Sequence, residues 1–440
     1  MSPKEEKPLA EDIDEETACQ DYVDNVLIDM YETDDEKFEA FGRCPDCNDY
    51  GQYWCKSCND ARFRQAFSAW TSGNKEIDYF IQNSQIHAMT SITVLEWWPY
   101  ETFSNVEKIG KGGYGTVFRA NSRIQRIKGW DKHNNRWFRY EENDNTTLRF
   151  PYREFVALKT LGHPHHLPKN FLDEAKRLQR WAYKSPDWFS PILQGFTKNE
   201  RTGQYYFVIE FCSRDIRKTL CEELTWSEKL LIIVQIARDM NDIHKAGLIH
   251  RDLHPGNVLQ ATDSLNFINI HDLGLCIPQS EANDIKEIMG VMPYVAPELF
   301  NGGKYSTATD VYAFGMLMWE IGTGKKSFHN VPHNAALAFQ IYNGLRPQIT
   351  KDMPQFYCDL MRKCWDSNPK HRPTAEEIYE LTTKWVWEPT EDIENQIEEA
   401  DELCQSSINA ESENLEETQH PQAIYTSRLM PDLTRSKNLG

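Results

Sequence analysis

Apolar residues recur along the chain in two rhythms, and the change of rhythm marks the elements. Phe171, Ala175, Leu178 and Ala182 return every three or four residues, which predicts a helix opened by Asn170 as its cap. Thr225 and Glu228 form a capping box ahead of a long amphipathic helix ending near Gly247. DVYAFGMLMWE, beginning at Asp310, is apolar on nearly all faces and predicts a buried helix. ARFRQAFSAW and IDYFIQNSQI, following residue 60, also carry helical spacing. Elsewhere β-branched and aromatic runs predict strands: Val106 to Ile109, Thr116 to Phe118, Tyr205 to Phe211, and Ile268 to Ile270. Trp130 and Trp137 flank a polar tip, Asp131 to Arg136, in the manner of a hairpin.

Charge divides this pattern into three. Residues 1–43 hold 15 acidic and 4 basic side chains, and residues 388–440 hold 13 and 3, within a chain of 440 residues and net charge -19. The middle is close to neutral and has the composition of a globular protein. Both flanks are expected to be acidic mobile tails, because few apolar groups offset chain entropy there. Val23, Val26, Leu27 and Met30 in the first could form a short helix. The acidic balance argues against a nucleic-acid binder and against docking on anionic lipid. No run approaches the roughly 18 apolar residues of a membrane helix, and MSPKEEKPLAEDIDEE lacks the apolar core of a signal peptide. A soluble, intracellular and cytoplasmic protein with reduced cysteines is expected.

Four of the 11 cysteines, Cys44, Cys47, Cys55 and Cys58, fall within 15 residues as CxxC, seven residues, CxxC. Two such knuckles supply the four thiolates of a closed tetrahedral zinc site. The intervening loop is shorter than the usual ribbon spacing, so unrelated thiols or a redox pair stay open as alternatives. Local charge is near neutral, which favours a structural zinc module over a nucleic-acid finger.

Candidate chemistry follows in order. Gly110, Gly112 and Gly115 form GxGxxG between two strand-like runs, where glycines allow backbone to approach phosphates. Val156-Ala157-Leu158-Lys159 comes next, after about 35 extra residues, 121–155. Glu174 lies on the following helix. His250-Arg251-Asp252-Leu253-His254-Pro255-Gly256-Asn257 precedes Asp272-Leu273-Gly274, Ala296-Pro297-Glu298, Asp310 and Arg372.

At least six motifs in this order across 102–387 resemble the eukaryotic protein kinases. Gly344-Leu345-Arg346-Pro347 and the CW…P…RPT ending resemble the tyrosine-kinase-like group, and the cysteine quartet joined to such a domain resembles a fungal expansion of it. The resemblance implies an α+β, bilobal protein kinase fold, a small β-rich N-lobe over a larger helical C-lobe, preceded by the zinc-knuckle-like module at 44–65 and a helical linker at 66–101. The stretch 121–155 is expected as an insertion in the N-lobe. ATP would lie between the lobes. Ile109, Gly110, Lys111, Gly112, Gly113, Tyr114, Gly115 and Val117 would cover it, with Ala157, Glu210 and Cys212 around the base. Lys159 would hold the phosphates and Glu174 would hold Lys159. Asn257 and Asp272 would bind Mg2+, and Asp252 would take or orient the proton of the substrate hydroxyl. Asp310 would anchor the catalytic loop and Arg372 would pair with Glu298.

Two departures bear on substrate. His254 stands where serine/threonine kinases carry Lys, and Val291 where they carry Thr. A neutral His254 could still donate to the γ-phosphate. Pro255 fits the serine/threonine form, so protein serine or threonine hydroxyls are the expected acceptors. Dual-specificity or tyrosine transfer, an ATP-binding scaffold without turnover, and a zinc-organised interaction module are the alternatives. Within the activation segment Ser280 is the candidate phosphosite, whose phosphate Arg251 would receive, unless Glu281 or Glu287 serves that arginine permanently. The substrate protein and oligomeric state are not set by the sequence.

Overall fold

A computed structural model describes residues 42–49, 51, 54–88, 90–111, 115–141, 154–160, 169–184, 193–261, 264–411 and 419–433. The short helix expected around Val23 to Met30 lies outside them. The described residues divide into two compact units, one holding those up to Leu95 with Arg126–Arg139, the other holding Glu96–Gln125 and those from Tyr140 onward.

The first unit gathers the cysteine quartet, two helices and a hairpin. Helix Lys56–Ala66 begins at Cys55, whose sulfur accepts the Cys58 N–H. Helix Lys75–His87 is capped by Asn74, whose side-chain oxygen accepts from the Glu76 and Ile77 amides at 2.9 and 3.2 Å. Strands Ile127–Asp131 and Arg136–Arg139 form the antiparallel hairpin. Its Trp137 stacks on Phe63, 4.4 Å between centroids, and on Trp54 at 5.8 Å. Trp54, Phe63, Ala88, Val94 and Ile127 form the unit's core. Two expectations are corrected here. Residues 66–101 are not a linker, since Ile77 and Ile81 are fully buried and Glu96–Trp97 joins the sheet of the second unit. The hairpin within 121–155 is not part of the N-lobe. Its aromatic face packs on the cysteine module, a pairing set by tertiary contact rather than local pattern.

The second unit contains a six-stranded sheet in the order 96–97, 193–199, 204–210, 155–159, 116–122, 103–111. All pairs are antiparallel except the first. Gly195 permits that first pairing, because its φ is +148° and a Cβ there would stand 1.9 Å from the Glu96 carbonyl oxygen. Helix Lys169–Lys184 begins one residue before the expected Asn170 cap. It buries Phe171 against Phe207, with centroids 4.2 Å apart.

The remainder is mainly helical. Helix Trp226–Lys245 carries the expected capping box, and helix Thr307–Thr323 is buried nearly throughout. Gly315 lets helix Gln355–Cys364 approach, since a Cβ would lie 2.9 Å from that of Cys364. Helix Ala375–Trp387 follows.

The third correction concerns 388–440, expected as a mobile tail. Its first part forms helix Glu391–Glu411, and residues 419–433 run along the helical half. Among its described side chains the helix buries little apolar surface apart from Ala400. It docks instead through acceptors aimed at orphan helix N–H groups. Gln396 Oε1 accepts from Gln355 and Phe356, at 2.9 and 3.3 Å, and Asp401 Oδ1 accepts from Trp226 at 2.8 Å. A count of apolar residues does not register such contacts.

Candidate active site

A cleft of about 190 Å³ opens between the sheet and the helical half. Ile109, Val117 and Ala157 line its sheet side, Glu210 and Cys212 its closed edge, and Asn257 and Asp272 the opposite wall. These expected residues are therefore brought together. Lys111 pairs through backbone with Thr116, and Gly115 sits just before the second strand. Gly112, Gly113 and Tyr114 lie outside the described residues. At Gly110 a Cβ would meet no described atom within 4 Å.

Lys159 ends strand Phe155–Lys159 with its ammonium between two carboxylates. Nζ lies 2.7 Å from Glu174 Oε1 and 2.6 Å from Asp272 Oδ1. Burial alone would lower the lysine, but Asp272 and then Glu174 outweigh it and hold it above its ordinary value. For Asp272 burial pushes upward, yet the Lys159 charge prevails and the carboxyl is lowered. For Glu174 burial prevails over Lys159 and the carboxyl is raised. Asp272 has φ of +61°, a left-handed conformation fixed partly by the Gly274 N–H donated to Oδ1 at 3.2 Å. A Cβ on Gly274 would stand 3.0 Å from that oxygen, which explains the glycine.

The loop bearing Asp252 is clamped from below. Asp310, buried in the first turn of its helix, accepts the backbone N–H groups of His250 and Arg251 at 2.8 and 3.0 Å. His244 Nε2 lies 2.9 Å from the same carboxylate. His250 Nε2 donates to the His271 carbonyl at 3.1 Å, and its Nδ1 accepts the Asp252 N–H at 3.2 Å. Asn257 Nδ2 donates to the Asp252 carbonyl at 2.9 Å and to Oδ2 at 3.3 Å, leaving the amide oxygen as its acceptor. His254 Nδ1 accepts from Gly256 at 3.0 Å, which places the ring proton on Nε2. That nitrogen is 3.6 Å from Asp252 Oδ2, beyond hydrogen-bond length.

Arg251 donates to the Leu275 carbonyl at 3.0 Å and lies over the Tyr305 ring at 4.3 Å. Ser280 is exposed on a short 3-10 turn. Tyr294 is buried and hydrogen-bonded to Glu320. One residue at this site has no counterpart in the sequence reasoning. Ser427 Oγ stands 2.5 Å from both carboxylate oxygens of Asp252. The apolar residues Tyr425, Leu429 and Met430 within an acidic tail were the available signal.

The quartet is a separate centre. Sulfurs of Cys44, Cys47, Cys55 and Cys58 all lie within 4.8 Å of one another, with Cys47 to Cys55 at 3.4 Å and Cys44 to Cys58 at 3.9 Å. A tetrahedron of thiolates about 2.3 Å from zinc has edges of about 3.8 Å, so the donor set fits that ion. Gly51 closes the turn, since its φ is +112° and a Cβ would stand 2.2 Å from the Trp54 carbonyl oxygen. Burial pushes the Cys55 thiol up and Cys58 up to about 11. At Cys44 burial is outweighed by backbone N–H donors, first that of Asp46, and the thiol is lowered.

Residues 103–381, well over half the chain, match the family described as protein tyrosine and serine/threonine kinase. A putative serine/threonine-protein kinase/receptor of Acanthamoeba polyphaga mimivirus is 28% identical over 309 residues, covering 69% of this chain and 17% of that protein. A probable serine/threonine-protein kinase of Dictyostelium discoideum is 33% identical over 279 residues, 62% of this chain and 27% of its own length. A dual serine/threonine and tyrosine protein kinase of Danio rerio is 34% identical over 170 residues, 38% of this chain and 19% of that one. The chain thus spans less than a third of the length of these relatives. No helix among the described residues is long and apolar enough to cross a membrane. On the matched span and the cleft it encloses, the chain belongs to the protein tyrosine and serine/threonine kinase family.

Proposed function

We propose that the chain transfers the γ-phosphate of ATP to serine or threonine hydroxyls of proteins. The observation that carries this reading is the Lys159 ammonium held between Glu174 and Asp272 in the cleft that Asn257 also lines. Lys159 would grip the phosphates, while Asp272 and the Asn257 amide oxygen would hold Mg2+, which neutralises phosphate charge when bound. Asp252 would orient the acceptor hydroxyl and accept its proton. His254, with its proton on Nε2, would serve as a neutral donor beside Asp252. The Ile109–Val117 strands would cover the nucleotide, with Glu210 and Cys212 at its base. Serine as acceptor is favoured because the hydroxyl meeting Asp252 belongs to a serine, Ser427.

Membership of the tyrosine-kinase-like group, of fungal type, is supported by Gly344-Leu345-Arg346-Pro347, and a cytoplasmic location by the ten free cysteines among the described residues. The cysteine centre is read as a structural zinc site. Dual specificity is the second reading, favoured by the Danio rerio relative. Transfer of radiolabelled γ-phosphate to generic substrates, followed by phosphoamino-acid analysis, tests both. Phosphotyrosine alone would overturn the first, and no transfer would leave a nucleotide-binding scaffold.

A further inference from the structure

Residues 419–433 follow the helical half through contacts made along their whole length. His420 donates its N–H to the His329 carbonyl at 2.8 Å, and His333 donates to Gln422 at 3.0 Å. The Tyr425 hydroxyl donates to Ser327 O at 2.7 Å. Arg428 and Leu429 pair antiparallel with Gly290 and Met289, adding a strand to the activation segment. Met430 then donates to Ile288 at 2.8 Å and Leu433 to Phe300 at 3.0 Å.

Ser427 sits where this path crosses the catalytic loop. A hydroxyl donates one proton, yet its oxygen is 2.5 Å from each carboxylate oxygen of Asp252. It therefore stands astride the group that would receive the acceptor's proton, within the reach a general base requires. Gly290, which pairs with Arg428, has a φ of +150°, and a Cβ there would stand 3.1 Å from the Val295 side chain, so the glycine suits this strand pairing.

We propose that residues 419–433 are a substrate held in cis, with Ser427 as a phosphorylation site of the chain's own active site. This rests on the kinase reading above. In the transfer, Ser427 Oγ bonds to the γ-phosphorus of ATP. The bond from that phosphorus to the β,γ-bridging oxygen breaks, and ADP leaves with the electron pair. The hydroxyl proton passes to Asp252 and then to water. Before transfer the segment covers the strand edge and the base, so other proteins are excluded. After transfer a group of roughly -1.5 to -2 charge faces the Asp252 carboxylate, and repulsion drives the segment off.

The docked segment also defines what an external acceptor should look like. Tyr425, two residues before the serine, lies under the Arg217 guanidinium at 4.9 Å and the Lys326 ammonium at 5.5 Å. Met430, three residues after it, is buried. An aromatic at the first position and an unbranched apolar side chain at the second are the recognised features.

The test uses the full chain. Without nucleotide, hydrogen exchange should find the Met430 and Leu433 amides protected, and Ser427→Asp should speed their exchange about tenfold or more through carboxylate repulsion. With ATP and Mg2+, peptide mapping should find phosphate on Ser427. Its rate per molecule should stay constant over about a hundredfold dilution, as an intramolecular step requires. Transfer to a generic peptide should lag until Ser427 is modified, and Ser427→Asp should abolish the lag. Unprotected amides, a rate that falls on dilution, or prompt peptide phosphorylation with Ser427 unmodified would each overturn the proposal while leaving the kinase reading intact. Protected amides with no transfer to any acceptor, even by Ser427→Asp, would sink the kinase reading, and the acceptor role with it.

Discussion

Arg372 grips Glu298 across 74 residues of chain by two parallel hydrogen bonds, Nη1 to Oε1 and Nη2 to Oε2, each 2.8 Å. The guanidinium is fully buried, also donates to the Ala308 and Asp366 carbonyls, and lies 5.3 Å from the Tyr312 ring. It fastens the end of the activation segment to the helical half. Arg372→Ala strands the Glu298 carboxylate and should cost about 3–5 kcal/mol, read from urea unfolding. Arg372→Lys should recover less than half, because one ammonium cannot fork. A fully stable lysine variant would show that charge alone suffices.

Asp252→Asn should lower kcat about 10²- to 10⁴-fold, the usual contribution of a general base. Nucleotide affinity by calorimetry should hardly change, since Asp252 faces the acceptor. Equal losses in affinity and turnover would move Asp252 into the nucleotide site.

Asp310 provides a pH test. Burial pushes its carboxyl up, but the contacts with His244 and the His250 N–H prevail and leave it below the ordinary 3.8. The unfolded carboxyl therefore protonates first as pH falls. Its contribution is whole above 3.8 and is lost as pH drops through the lower folded value. Asp310→Asn should be less stable at pH 7 by on the order of 1–3 kcal/mol, with the gap narrowing only below that range. A gap already closing at pH 6 would assign the effect to another group.

The cysteine centre should carry one zinc per chain by metal analysis, and Cys55→Ser should carry far less. Chelation should abolish the near-ultraviolet dichroism of the Trp54–Phe63–Trp137 stack, because the Cys55 turn positions Trp54. Metal-free protein with an intact aromatic signal would reduce the quartet to four thiols.

Gln396→Ala and Asp401→Ala should each cost about 1 kcal/mol, the worth of a helix cap, in thermal or urea unfolding. The two sites cap different helices, so their effects should add. No change in either variant would mean that solvent satisfies those amides as well.

The elements around the cleft were legible because their chemistry fixes both residue type and spacing. The carbonyl and carboxylate that Asn257 meets belong to Asp252, five residues back, and Lys159 must reach Glu174 on the next helix. Such constraints are written in the local order of residues. The hairpin's allegiance was not legible, since Trp130 and Trp137 predict a turn but not which surface their rings will cover. Helix Glu391–Glu411 was misread for a different reason. Its docking rests on Gln396 and Asp401, polar residues that look identical whether they face water or a helix end. Ser427 was missed because strand pairing at Arg428–Leu429 uses backbone groups that every sequence possesses.

The hairpin that packs on Trp54 and Phe63 makes the first unit discontinuous in the chain. A ribosome would deliver the cysteine turns and both helices, then some thirty residues belonging elsewhere, before Trp137 emerges to complete their core. The unit therefore cannot be transplanted as one contiguous cassette. A graft ending at Leu95 would expose Phe63, whereas joining 42–95 to 126–139 by a short synthetic loop should restore a cooperative unit. Gene shuffling at residue 95 would part the first unit from its own hairpin, so this pair of units is inherited as a single piece.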